Sequence, residues 1–139
     1  MHTHNLDDEV VEWKIKGQTF GRKSCSDLHA QTREMLKILF PTAQIKEEVP
    51  VPVRRGSTLY FDFYIPAHKL AVEVHGQQHY EFTPHFHQDI KAFAHAKKND
   101  KNKAAWCDIN DISLIVLPHY EDNNEWREHI KRWRCGEDG

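Results

Sequence analysis

Residues 59–76 read LYFDFYIPAHKLAVEVHG and contain the most regular alternation of apolar and polar side chains in the chain. This alternation predicts a strand over residues 59–65, a turn at residues 66–69 and a second strand over residues 70–75. One face of the first strand is predicted to carry Leu59, Phe61, Phe63 and Ile65, and the other Tyr60, Asp62 and Tyr64. The segment therefore predicts an antiparallel hairpin with one apolar face.

Two acidic residues are predicted to face each other across this hairpin. If Ile65 pairs with Leu70 around the turn, Asp62 stands directly opposite Glu73 on the polar face, where opposed Cβ atoms are about 5 Å apart. Like charges at that distance repel, and a divalent cation that prefers hard oxygen ligands, such as Mg²⁺ or Mn²⁺, compensates them. His75 follows on the same face, about 7 Å further along the strand. The pattern favours a metal site; a solvated polar face without metal is the alternative.

The remaining sequence predicts an α/β sandwich. Periodicity and capping signals predict an edge strand at residues 45–53 and a buried strand at residues 112–117. They also predict a first helix at residues 24–40 and a last helix at residues 123–133. Between them, a helix is predicted to start at residues 83–84, to break near residues 98–99 and to continue through Trp106 and Cys107. The order is helix, three strands, helix, strand, helix (αβββαβα) around a mixed central sheet. We expect one domain over residues 1–139, with residues 1–8 disordered and the core at about 24–134.

Composition excludes several classes of protein. Of the 139 residues, 39% are apolar and 29% charged, and the net charge is −2 with histidine neutral, which is typical of a globular domain. No apolar run reaches the roughly 18 residues that span a bilayer, and the N-terminus lacks the apolar segment of a signal peptide. Cys25, Cys107 and Cys135 are too widely spaced for a CxxC zinc pair or a disulfide framework, so a cytosolic setting is expected.

The hairpin sequence also carries a family resemblance. LYFDFYIP at residues 59–66, KLAVEVHG at residues 69–76 and then His79 resemble the core of the PD-(D/E)XK nuclease superfamily. The likeness is greatest to the branch with the very short patch repair endonucleases and the phage Glu-Asp-x-His-Asp homing endonuclease domains. That branch has His-Gly after the second core strand, as at residues 75–76 here, where the wider superfamily has lysine. The resemblance covers roughly residues 24–130 and implies a restriction-endonuclease-like fold.

The resemblance implies an enzyme, a Mg²⁺-dependent DNA endonuclease in which Mn²⁺ substitutes. Asp62 and Glu73 would hold the metal. His75 and His79 would transfer protons, since an imidazole titrates near neutral pH. Asp100, on the helix after the hairpin, would orient one histidine or join the metal through water. The other residues expected at the site are Glu34 on the first helix and, as DNA phosphate contacts, Lys23, Arg54, Arg55, Lys101 and Lys103.

Several alternatives stay open. A catalytically inactive module for nucleic acid binding or assembly would share the fold, and an RNA-directed nuclease would share the site. A zinc site is a weaker alternative. Its candidate ligands are His75, His79, His85 and His87, whose spacing matches no common zinc finger and which have no cysteine nearby. The DNA enzyme would be of the homing or mismatch-nicking type. Its expected partner is double-stranded DNA, and no association with a membrane is expected. The expected compartment is bacterial or phage-infected cytoplasm, and a homodimer or a partner protein would supply specificity.

Overall fold

The computed structural model describes residues 1–16, 27–76 and 90–135. Within these ranges the elements are β1 (His2–His4), β2 (Val10–Glu12), α1 (Asp27–Leu39), β3 (Lys46–Arg54), β4 (Ser57–Ile65), β5 (Leu70–His75), α2 (Ile90–Ile109), β6 (Ser113–Pro118) and α3 (Asn123–Arg134). After the short β1–β2 pair, the order is helix, three strands, helix, strand, helix. The predicted α/β class and element order are therefore confirmed.

The central sheet is mixed, as expected. Its strands lie in the order β3-β4-β5-β6, in which β3, β4 and β5 are antiparallel neighbours and β6 runs parallel to β5. Ile65 pairs with Leu70 around a single turn of 3-10 helix at Pro66–His68, which confirms the predicted hairpin register. The two middle strands, β4 and β5, are the ones that carry the acidic residues.

Each face of the sheet has its own apolar core. Helices α1 and α3 cover one face, where the buried residues are Met35, Leu36, Phe40, Phe63, Ile65, Leu70, Val72, Ile115, Leu117, Trp126 and Ile130. Helix α2 and Trp13 cover the other, with Val49, Val51, Val53, Phe61, Tyr64, Ala71, Trp106, Cys107 and Ile112. The sheet is thus an interior layer between helices.

The alternation of β4 changes face at Asp62, which corrects the prediction of one continuous apolar face. Phe63 packs on the side of α1, whereas Phe61 packs on the side of α2. Opposite Asp62 on β3, between the pairs Glu47–Phe63 and Val49–Phe61, stands Glu48 with a φ of 53°. A left-handed backbone at a residue other than glycine is uncommon. It interrupts the pleat of β3 at the level of the acidic residues.

The N-terminal segment is built into the domain, which differs from the disorder expected for residues 1–8. Strand β1 pairs with β2, and the backbone N–H of His4 donates to Asn110 Oδ1 at 2.8 Å. The side-chain oxygen of Asn5 accepts from the N–H groups of Asp7 and Glu9, at 2.9 Å each. These bonds satisfy the backbone of a polar segment that has few apolar anchors.

Helix α2 is continuous, so the predicted break near residues 98–99 is wrong; its predicted start at residues 83–84 lies outside the described residues. No proline or glycine interrupts Ile90–Ile109, so nothing in the backbone forces a break. Its first fully buried residue is Trp106, and the residues before it are exposed or partly buried. None of the described helices is long and apolar enough to cross a bilayer.

Candidate active site

The β4–β5 ladder stops one pair short of the acidic residues, and their side chains continue it. The last backbone pair is Phe63–Val72. Beyond it, the N–H of Asp62 donates to Glu73 Oε2, and the N–H of Val74 donates to Asp62 Oδ2, both at 2.9 Å. The carboxylates therefore bridge the two strands where the backbones separate. This arrangement brings Asp62 and Glu73 together, as the hairpin register predicts.

A lysine from α2 neutralises one of the two carboxylates. Lys103 Nζ forms an ion pair with Glu73 Oε1 and donates to the carbonyl of Tyr60 at 3.2 Å. The side chain of Glu73 is 2% exposed and that of Lys103 is 14% exposed. Leaving a carboxylate so deeply buried without a partner is costly, so the ammonium turns inward. Lys103 thus lies inside the site, on the side of α2 that carries Asp100, and its contact with a DNA phosphate stays a prediction.

Asp62 keeps an excess of negative potential beside this ion pair. Burial, and after it the Glu73 carboxylate, raise the pKa of Asp62 to about 7, although the Val74 N–H favours its charged form. Although burial opposes it, Glu73 raises the pKa of the Lys103 ammonium. Two carboxylates therefore share one buried ammonium. Among the described residues, the Lys103 ammonium therefore balances one of these two carboxylates when Asp62 is ionised.

His75 and Asp100 lie beside Glu73 and Lys103. His75 Nε2 is 3.9 Å from Asp100 Oδ1, and the His75 residue is 8% exposed. The two side chains, with Glu73 and Lys103, line a cleft of about 80 Å³ that Ala104, Leu114 and Val116 complete. Asp100 on α2 and His75 at the end of β5 therefore lie as close together as the sequence-based hypothesis needs.

On the other side of Asp62, the structure places two residues that the sequence reasoning missed. One possible ligand atom from each of His29, Glu48 and Asp62 lies within 4.8 Å of the others. His29 lies on α1, where it stacks on Phe63 with a ring separation of 4.4 Å. A signal existed for it, because His29 precedes the buried Leu36 by seven residues and so shares the inward stripe of the helix.

Glu34, the acidic residue expected from the first helix, lies elsewhere. Its side chain is 69% exposed, and it pairs with Lys37 at 3.6 Å, one turn along the helix. Five residues separate it from His29, which at 3.6 residues per turn is a rotation of about 140°. Helix α1 therefore presents a histidine to Asp62 where the resemblance implied a glutamate.

Of the expected phosphate contacts that the structure describes, Lys103 contacts Glu73, whereas Arg54 and Arg55 lie away from the acidic residues. Arg54 pairs with Asp7 at 2.9 Å and Arg55 with Glu9, at the β3–β4 turn, which is about 17 Å along the strand from Asp62. Lys101 is exposed on α2. His79 and Lys23, with the other loop histidines His85 and His87, lie outside the described residues.

Two viral proteins are similar to part of the chain. "Uncharacterized protein 307L" of Invertebrate iridescent virus 6 is 43% identical over 72 residues, which cover 49% of this chain and 36% of that protein. "Uncharacterized protein 033L" of Invertebrate iridescent virus 3 is 34% identical over 64 residues, or 46% of this chain and 33% of that protein. The chain thus spans about a third of the length of these relatives. No family model and no solved structure matches it.

Proposed function

We propose that the chain is a metal-dependent endonuclease with a restriction-endonuclease-like fold, which hydrolyses phosphodiester bonds of double-stranded DNA. One observation carries the proposal: Asp62 and Glu73 bridge β4 and β5 where these strands separate, and they share the single ammonium of Lys103. The element order and the mixed sheet support the same fold. Buried acids without enough positive charge around them are typical of sites for cations.

The residues present fit a divalent cation such as Mg²⁺ or Mn²⁺. Asp62 and Glu73 would supply hard oxygen ligands, and a bound cation would favour the ionised form of Asp62, whose pKa is raised by burial and then by the Glu73 carboxylate. A bound cation would lower the pKa of water and offset charge on the phosphate. Lys103 would hold Glu73 in place and stabilise negative charge beside it. In the wider superfamily, a lysine two residues after the glutamate would take this role.

His75 would move the proton in this site. The imidazole follows Glu73 on β5 and lies within reach of Asp100, whose carboxylate would orient the ring. His79, outside the described residues, stays a second candidate for the same role. A general acid or base of this kind is typically worth 10²–10⁴ in rate.

Lysines next to the site would bind the DNA backbone. The surface turns of α2 carry Lys91, Lys97, Lys98 and Lys101, directly before the site residue Lys103. Phosphate contacts of this kind supply most of the sequence-independent affinity for nucleic acid. We extend the proposal to a homing or mismatch-nicking enzyme in bacterial or phage-infected cytoplasm, with specificity from a homodimer or a partner protein.

A catalytically inactive nucleic-acid-binding module is the second candidate. The observation that favours it is the ion pair of Lys103 with Glu73, which satisfies that carboxylate without a metal.

Incubation of labelled duplex DNA and labelled RNA with the protein, in EDTA, Mg²⁺ or Mn²⁺, separates these functions. The proposal predicts metal-dependent cleavage of the duplex. Cleavage of RNA alone would replace it by an RNA-directed nuclease. Binding of duplex DNA without cleavage in either metal would support the inactive module.

A further inference from the structure

Strand β6 is an edge of the sheet, and its outer backbone groups are open. Its sequence, SLIVLP, holds no charged residue, and no described strand lies beyond it. The N–H groups of Ser113 and His119 donate to carbonyls at or next to the ends of β5, at 3.0 and 2.9 Å. Because alternate residues of a strand turn their backbone groups to the same side, Leu114 and Val116 turn theirs away from β5. No described residue pairs with these two N–H groups and two carbonyls.

The opposite edge of the sheet, β3, is protected. Pro50 and Pro52 remove two N–H groups from that strand. The N–H of Leu6 donates to the carbonyl of Val53 at 2.8 Å. The indole of Trp13 donates to the carbonyl of Pro50 at 2.9 Å. Proline and covering segments are the usual means of keeping an edge from pairing with another strand, so β6 is the edge at which such pairing is open.

A second copy of β6 fits this edge in an antiparallel register. In antiparallel pairs, a residue exchanges both of its backbone hydrogen bonds with the residue directly opposite. All four outward groups are used when Leu114 lies opposite the partner's Val116 and Val116 lies opposite the partner's Leu114. The two-fold axis then passes through Ile115. On the α2 side of the sheet, the half-buried Leu114 would cover the exposed Val116 of the other copy, so this register also buries apolar surface.

Helix α3 lies along the same edge. Trp126 Nε1 donates to the carbonyl of Pro118 at 3.0 Å, near the end of β6. Trp133, two turns later, lines a cavity with Ser113 at the start of the strand. Helix α3 therefore runs antiparallel to β6. When two β6 strands pair antiparallel about a two-fold axis, their α3 helices also run antiparallel to each other.

The flank of α3 that faces away from α1 carries Glu125 and Arg132. On the other flank, Asn123 accepts a hydrogen bond from α1 at 2.5 Å, and the guanidinium of Arg134 lies 4.3 Å from the Phe40 ring. Two residues along a helix are a rotation of about 200°, so Glu125 and Arg132 stand on the opposite flank from Asn123 and Arg134. That flank lies beyond β6, where a second copy would approach.

The charges on this flank are self-complementary. Glu125 and Arg132 are seven residues apart, or about 10.5 Å along the helix. Their midpoint lies between Trp126 and Trp133, and therefore near the level of Ile115. A two-fold axis at that level places each Glu125 opposite the partner's Arg132. The register that pairs the strands thus also pairs acid with base between the helices.

We propose that the β6–α3 edge, formed by residues 113–118 and 123–134, is the interface of a homodimer, in which a second copy of this chain continues the sheet. Four backbone hydrogen bonds and two Glu125–Arg132 ion pairs would join the copies. The inference deepens the proposed function, on which it rests only for the purpose of the dimer. The surface itself is independent of DNA cleavage.

Sedimentation equilibrium of the full chain in EDTA, over a series of concentrations, tests this interface without a cleavage assay. The wild type should show a reversible equilibrium between monomer and dimer. Val116→Pro removes an outward N–H that the folded monomer leaves unpaired, and it should raise the dissociation constant of the dimer about tenfold or more. Val116→Ala keeps this N–H and is the matched control, which should weaken the dimer much less. Circular dichroism confirms that each variant is folded.

The charged residues give a test that leaves the strand intact, even if Val116→Pro fails to fold. Arg132→Glu should weaken the dimer about tenfold. The double variant Glu125→Arg/Arg132→Glu should restore it, because the exchange recreates both ion pairs between the copies. Lys37→Glu, exposed on α1, should have no effect.

A wild type that stays monomeric at every concentration would overturn the proposal. A dimer that neither Val116→Pro nor Arg132→Glu weakens would also overturn it. A dimer that these variants weaken but that does not cleave DNA would uphold the interface and contradict only the nuclease function.

Discussion

Lys103 of α2 and Glu73 of β5 form a buried ion pair at the point where the two central strands separate. The pair joins a surface helix to the middle of the sheet, and it positions one carboxylate next to Asp62 while satisfying its charge. The stability of the domain and the chemistry of the site therefore depend on the same contact.

Removing the ammonium should reduce both stability and activity. Lys103→Met leaves the buried Glu73 without its ion-pair partner, which should lower the free energy of unfolding by about 3 kcal/mol. Urea denaturation measures this loss, and Lys98→Met, exposed on the same helix, is the matched control. In the double variant Lys103→Met/Glu73→Gln, most of the stability should return, but DNA cleavage should not. Equal stability of the Lys103→Met variant and the wild type would contradict the role of the pair.

The stability of the metal-free protein should depend on pH through Asp62. Its pKa is about 7 in the folded state and about 3.9 in an unfolded chain, so the native state binds the extra proton between these values. Stability should therefore fall as pH rises from about 4 to 7, with the contribution complete below that window and lost above it. Denaturation in EDTA should show this slope in the wild type and a smaller slope in Asp62→Asn. Parallel pH profiles of the two proteins would disprove the assignment.

Proton transfer by His75 predicts a defect in rate rather than in binding. His75→Asn should lower the cleavage rate by about 10²–10⁴ while duplex affinity in EDTA stays within about twofold. His95→Asn, exposed on α2, is the control and should cleave normally. If His75→Asn retained full activity, the proton-transfer role would pass to His79.

Lysines on α2 should determine the salt dependence of duplex binding. Replacing Lys98 and Lys101 by glutamine should reduce the slope of log affinity against log salt by about 1.8, since each phosphate contact contributes about 0.9. The inactive Asp62→Asn protein allows this measurement without cleavage. Lys37→Gln, on α1, should leave the slope unchanged. An unaltered slope in the α2 variant would move the DNA to another surface.

The local sequence pattern was enough to predict the hairpin that carries Asp62 and Glu73 and the order of the helices and strands. The turn between β4 and β5 fixes the Ile65–Leu70 pair, and this register alone places Asp62 opposite Glu73. The element order followed from periodicity in the same way. These features depend on residues close together in sequence, where strand alternation and turn length leave little freedom.

The unpredicted features depend on long-range packing. Lys103 is 30 residues from Glu73, so only the placement of α2 on the sheet brings them together. The N-terminal strand owes its order to Asn110, which is 106 residues from His4. The change of face at Asp62 coincides with the left-handed Glu48, which no local pattern marks. His29 was recognisable as an inward residue of α1, but its neighbours Glu47 and Asp62 were not.

Nicking of supercoiled plasmid tests the central claim most directly. The wild-type protein should convert the plasmid to nicked or linear form in Mg²⁺ or Mn²⁺ and leave it intact in EDTA. Asp62→Asn should lose this activity by at least about 10²-fold while remaining folded, and Glu34→Gln should retain it. A plasmid that stays supercoiled with the wild-type protein in both metals, or equal nicking by Asp62→Asn, would contradict the account.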